Sequence, residues 1–87
     1  MSILKDAISA LPFTKDGDVG AIHYWAVEPT GDWCADTTTG RDYADALLVV
    51  MREHESPGLL AWVVKAMPPI LDGVQAGFLH AIAAETI

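Results

Sequence analysis

The chain has one cysteine, Cys34, among its 87 residues. Neither an intramolecular disulfide nor a multi-cysteine metal knuckle can be built from it, and its plain role is that of a small half-buried thiol. Basic residues are also scarce: 5 Lys and Arg stand against 12 Asp and Glu, for a net charge of −7. A surface of that sign repels phosphates and lipid head groups, so no direct nucleic-acid or membrane binding is expected, and a protein partner with a basic surface is favoured. Long apolar runs are missing too. The most apolar stretch, Pro57 to Leu71, is interrupted by Lys65 and by Pro68-Pro69, and it falls short of the roughly 20 residues a membrane span requires. Met1 to Leu11 carries Lys5 and Asp6 within its apolar pattern and lacks the unbroken core of a secretion signal. A cytoplasmic location is expected.

Phosphate-cradling glycine loops are absent, and Asp16-Gly17-Asp18-Val19-Gly20 is acidic where a phosphate would lie. The zinc-competent residues His23, Cys34, His54 and His80 are scattered singly, with no short chelating pair. No metal or other cofactor is expected. For nucleophilic catalysis only Cys34 with His23 has a local rationale, and nothing nearby supplies an oxyanion-binding turn or a positive field to activate the thiol. The paired carboxylates Asp32 with Asp36 and Asp42 with Asp45 read as a solvated acidic face rather than a catalytic dyad. The chain is therefore expected not to be an enzyme.

What is present is apolar material in excess of what a small domain buries. Hydrophobic residues make up 52% of the sequence and the mean hydropathy is +0.29. At this length the surface-to-volume ratio leaves much of that area uncovered, so part of it meets a partner or a second copy. Residues 1–87 read as one domain, without internal repeat or linker.

Ile3, Leu4, Ala7, Ile8 and Leu11 recur at helical spacing behind Ser2 and stop at Pro12. Residues 14–20 form a polar loop. Ala21 to Val27 and Asp32 to Thr38, joined by Glu28-Pro29-Thr30-Gly31, predict a β-hairpin. In the second strand Asp32, Cys34 and Asp36 alternate against Trp33, Ala35 and Thr37, and Trp33 would pack against Trp25 across the hairpin. Phe13 to Lys15 or a dimer mate supplies a third strand, since two are marginal alone. A helix is predicted from Arg41 to His54, capped by Thr39, with Tyr43, Leu47, Val50, Met51 and His54 on its apolar stripe. Ser56-Pro57 starts another, with Leu59, Leu60, Val63, Val64 and Met67 inward, and Pro68 ends it. The last helix runs from Pro69 to Ala84 with Ile70, Leu71, Val74, Phe78, Ala81 and Ile82 inward; Gly73 and Gly77 would let another helix approach closely. The fold class is α+β: a small antiparallel hairpin or three-stranded sheet with about four helices, or an α/β/α sandwich.

The acids are unevenly spread. Asp16, Asp18, Glu28, Asp32, Asp36, Asp42 and Asp45 fall within residues 16–45 against one base, Arg41. These seven residues, with Trp62 as an aromatic contact anchor, form the expected partner-binding set. Alternate carboxylates on a strand lie about 6.6 Å apart, so such a row can stand in for phosphates in a basic groove. The function this favours is an inhibitor, phage- or mobile-element encoded, that occupies the nucleic-acid-binding surface of a nuclease or CRISPR-type complex. In size, acidity and lack of chemistry, though through no shared motif, the chain resembles phage-encoded inhibitors such as anti-CRISPR proteins. The alternative is a homodimeric accessory subunit or antitoxin that binds through the apolar helical surface around Leu59 to Ile82.

Overall fold

Asp32 has the right chemistry to start a helix, and it does. In the computed structural model, which describes residues 3–17 and 22–87, the Asp32 carboxylate accepts the Ala35 backbone N–H at 3.2 Å, and a 21-residue helix runs from Trp33 to Glu53. The segment read as the second hairpin strand, Asp32 to Thr38, is thus the start of the longest helix, and Asp32 rather than Thr39 is its cap. The Thr37 and Thr38 hydroxyls donate to the Cys34 carbonyl at 3.0 and 3.1 Å, and the Thr39 hydroxyl to the Ala35 carbonyl at 3.1 Å. Back-bonding to the preceding turn is how a threonine run of high β-propensity is accommodated in a helix.

The described elements are α1 (Ile3–Ser9), β1 (Lys15–Asp16), β2 (Ile22–His23), α2 (Trp33–Glu53), α3 (Leu59–Ala66) and α4 (Gly73–Ala84). Among the described residues the fold is α+β with four helices. Its sheet is one antiparallel pair, β1 with β2, in the register Lys15 to His23 and Asp16 to Ile22. Of the Phe13–Lys15 segment offered as a third strand only Lys15 lies in β1, although the Ala26 N–H donates to the Phe13 carbonyl at 2.8 Å. The other expected strand belongs to α2, so among the described residues the sheet has two strands and the expected pairing of residues 21–27 with 32–38 is replaced. Ser2, Asp18 and Ala21 lie outside the described residues.

Alpha2 and α4 form the main contact of the fold. A Cβ placed on Gly40 would come within 2.0 Å of the Val74 carbonyl oxygen, and one on Gly77 within 2.1 Å of the Thr37 carbonyl oxygen. The two backbones therefore touch, which only glycine permits. Around this crossing lie Ala44, Leu47, Val74 and Phe78, all buried. The loop segments are bound to the helices through rings: Phe13 lies 5.6 Å from Trp25, 5.4 Å from Tyr43 and 5.9 Å from Phe78, and Trp25 lies 5.1 Å from Phe78. Aromatic pairs at such separations add to the stabilisation that burial alone supplies. The Trp25 indole N–H has no acceptor among the described residues.

Alpha2 ends at Glu53 with His54 as its C-cap, and Glu55, the next residue, has a φ of 48° in the left-handed region. The Glu55 N–H donates to the Arg52 carbonyl and the Ser56 N–H to the Met51 carbonyl, the paired bonds of a Schellman ending with glutamate where glycine is usual. Alpha4 begins behind Asp72, whose carboxylate accepts the Gln75 N–H at 2.9 Å. Its first residue is Gly73 rather than the expected Pro69, because the Asp72 side chain caps the helix there. Ile70 and Leu71, expected to face inward, are 80% and 57% exposed in the connection that precedes it.

Candidate functional site

One of the seven carboxylates, Asp36, is missing from the expected surface. Asp16, Glu28, Asp32, Asp42 and Asp45 are exposed; Asp18 lies outside the described residues. Asp36 is 2% exposed and is consumed within the fold. Its carboxylate accepts the Thr30 N–H at 3.1 Å, the Thr30 hydroxyl at 2.7 Å and the Gly31 N–H at 3.2 Å. The Thr30 hydroxyl oxygen accepts in turn the Asp32 N–H at 3.2 Å. Asp36 is thus the strut that pins the Thr30–Gly31 loop to the first turn of α2, and it is removed from the partner-binding set. Chiefly the Thr30 hydroxyl, with the Thr30 and Gly31 N–H groups, holds its carboxyl below the ordinary value, outweighing burial, which acts in the opposite direction. Asp32 and Asp36 therefore share no strand face. Asp42 and Asp45 do lie on the exposed side of α2, but Arg41 precedes them there.

The aromatic anchors exchange roles. Trp62 is 56% exposed, yet its ring stacks on Tyr24 at 6.0 Å and lies 5.4 Å beneath the Lys65 ammonium. Trp33, expected to pack against Trp25 across a hairpin, is equally exposed at the first position of α2. No ring or cation pairs with it among the described residues. The sequence signal that would have found it is Asp32 itself: read as an N-cap, it places Trp33 at the helix rim. Phe78 is fully buried and Leu79 is exposed, so the apolar surface expected along α4 is only partly covered.

Clefts among the described residues border the α2–α4 contact. A groove of about 680 Å³ is walled by Thr37, Arg41 and Asp45 of α2 and by Gly77, His80 and Ala81 of α4. It offers little chemistry. The Thr37 and Thr38 hydroxyls are spent on the Cys34 carbonyl, and His80 makes no hydrogen bond among the described residues to orient it as a base. A second cleft, of about 390 Å³, lies where residues 29–31 meet the first turns of α2 and α4, with Trp33, Asp36, Asp72 and Gly73 in its walls. Cys34 is exposed in the first turn of α2, which removes the cross-strand pairing with His23 considered from the sequence. Among the described residues no three of His, Cys, Asp and Glu converge as metal ligands, and no helix is long and apolar enough to cross a membrane. Comparison with protein-family models, curated proteins and solved structures gave no match.

Proposed function

We propose that this chain is a non-catalytic interaction domain that docks on a basic protein surface, such as the nucleic-acid-binding groove of a nuclease or CRISPR-type complex, and blocks it. The observation that carries this reading is the pairing of carboxylates with large exposed apolar side chains on the same segments. Exposed Asp32 adjoins Trp33 at the head of α2, and Ile70 and Leu71 lead into half-buried Asp72 at the head of α4. Apolar side chains of that size supply affinity when covered, and the surrounding charge selects a basic partner and speeds encounter. With Asp36 buried and Asp18 outside the described residues, the exposed charge of the expected set rests on Asp16, Glu28, Asp32, Asp42 and Asp45. A second reading, a homodimeric accessory subunit or antitoxin, is favoured by the exposure of Ile70, Leu71, Val64 and Leu79.

Affinity capture from the cells that encode the chain, at low and high salt, tests the first reading when repeated with a double Asp42→Lys, Asp45→Lys variant. A partner held by the natural chain, and lost both at high salt and by the variant, supports docking by charge. A partner retained under both perturbations refutes it. Sedimentation velocity addresses the second reading: a dimer that Leu71→Glu dissociates supports it, and a monomer throughout eliminates it.

A further inference from the structure

Beside the 390 Å³ cleft, Trp33 presents an indole with no partner ring among the described residues. Its position is set from behind: a Cβ on Gly73 would lie 3.4 Å from Trp33 Cε3 and 2.7 Å from Asp36 Cβ, so the first turns of α2 and α4 are seated tightly against each other. Pro29, Thr30 and Gly31 close the cleft on the loop side.

Charge decides what this surface accepts. Asp36 and Asp72 stand in the walls and Asp32 caps α2 next to Trp33, while no Lys, Arg or His among the described residues lines the cleft. Two helix N-termini oppose them, each equivalent to about half a positive charge, which leaves a balance of about two negative charges. An anion is disfavoured and a cation preferred. The caps leave oxygens to spare, because Asp32 and Asp72 each accept the cap N–H through Oδ1 alone. A second copy, itself carrying −7, is repelled as occupant.

An exposed indole and carboxylate oxygens that the caps do not use suit one side chain above others. Arginine stacks its planar guanidinium on aromatic faces, donates in a fork to carboxylates, and lays an aliphatic stem along apolar surface. Building on the basic partner proposed above, we infer that this cleft receives an arginine side chain of that partner, with Trp33 as the stacking platform and Asp32 and Asp72 as acceptors.

The test is a titration of the full-length, isotope-labelled chain with a blocked oligoarginine peptide at low salt, followed by amide and indole chemical shifts, with oligolysine and oligoglutamate peptides for comparison. The expected result is a set of shifts at Thr30, Gly31, the Trp33 indole and Gly73. Oligoarginine should bind more tightly than oligolysine, and Trp33→Ala should weaken it about tenfold. Asp72→Asn should weaken it too while preserving the helix cap, since asparagine caps as well as aspartate; circular dichroism confirms that both variants are folded. Shifts confined to the Asp42 and Asp45 side of α2, or affinity unchanged by Trp33→Ala, overturn the cleft assignment and leave the basic-partner reading standing. If no basic peptide shifts any resonance, both readings fall.

Discussion

Replacing Gly40 with alanine tests the central contact of the fold most directly. The added Cβ would sit 2.0 Å from the Val74 carbonyl oxygen and 2.6 Å from the Phe78 nitrogen, where carbon contacts ordinarily settle at about 3.5 Å. Both obstacles are main-chain atoms, so no rotamer change relieves them, and α2 and α4 must separate by about 1.5 Å. That separation loosens Leu47, Val74 and Phe78, all fully or nearly fully buried. Overpacking of this kind costs about 1–3 kcal/mol, and separating the principal helix pair places the substitution at the top of that range. Alanine's better helix propensity returns about 1 kcal/mol, so the net loss is about 2 kcal/mol, a fall in Tm of about 8–16 °C for a domain of this size. Thermal and urea unfolding monitored by far-ultraviolet circular dichroism measure it. Gly77→Ala, with its Cβ 2.1 Å from the Thr37 carbonyl oxygen, should behave alike. The double variant should lose less than the two single losses combined, because one separation makes room for both side chains. Gly58→Ala is the control: a Cβ there meets nothing within 4 Å and φ is −65°, so stability should hold or rise by about 0.5 kcal/mol. A Gly40→Ala protein as stable as the natural chain would refute the close-approach account.

Two further outcomes rest on single side chains. Glu55 holds φ at 48° at the end of α2, so Glu55→Gly should raise stability by about 1 kcal/mol, read as a higher urea midpoint with an unchanged slope. Asp36 has a depressed folded-state pKa caused first by the Thr30 hydroxyl; its ionised form therefore stabilises the fold above the unfolded value near 3.8 and that contribution is lost as pH falls through the lower folded value. Asp36→Asn should be less stable than the natural chain at neutral pH, and the gap should narrow on acidification; a gap independent of pH would show that the carboxylate's charge contributes nothing.

The helices were largely legible because their signals are local. Pro12 and Pro68 end apolar periodicities, and Leu47, Val50, Leu59, Val63, Val74 and Phe78 recur at helical spacing and are buried. The error fell on Asp32 to Thr38, where a threonine run and an alternating pattern favour a strand locally. The cap at Asp32 and the back-bonds of Thr37 to Thr39 were compatible with a helix, but propensity alone could not rank them. The candidate site suffered from the same step: once the segment is helical, Asp36 turns inward to Thr30 and Gly31, Trp33 turns outward, and the phosphate-like spacing is gone.

Acidity, the helical stripes and the lack of a phosphate loop or cysteine pair could all be read from the chain before folding, because each depends on composition or on spacing within a few residues. The start of α2 at Asp32, the burial of Asp36 as a strut and the free-standing ring of Trp33 could not. Gly73 and Gly77 marked a place where a helix could approach, but that the approaching helix is α2, meeting it at Gly40 and Thr37, joins positions well separated along the chain, and no local propensity encodes that pairing.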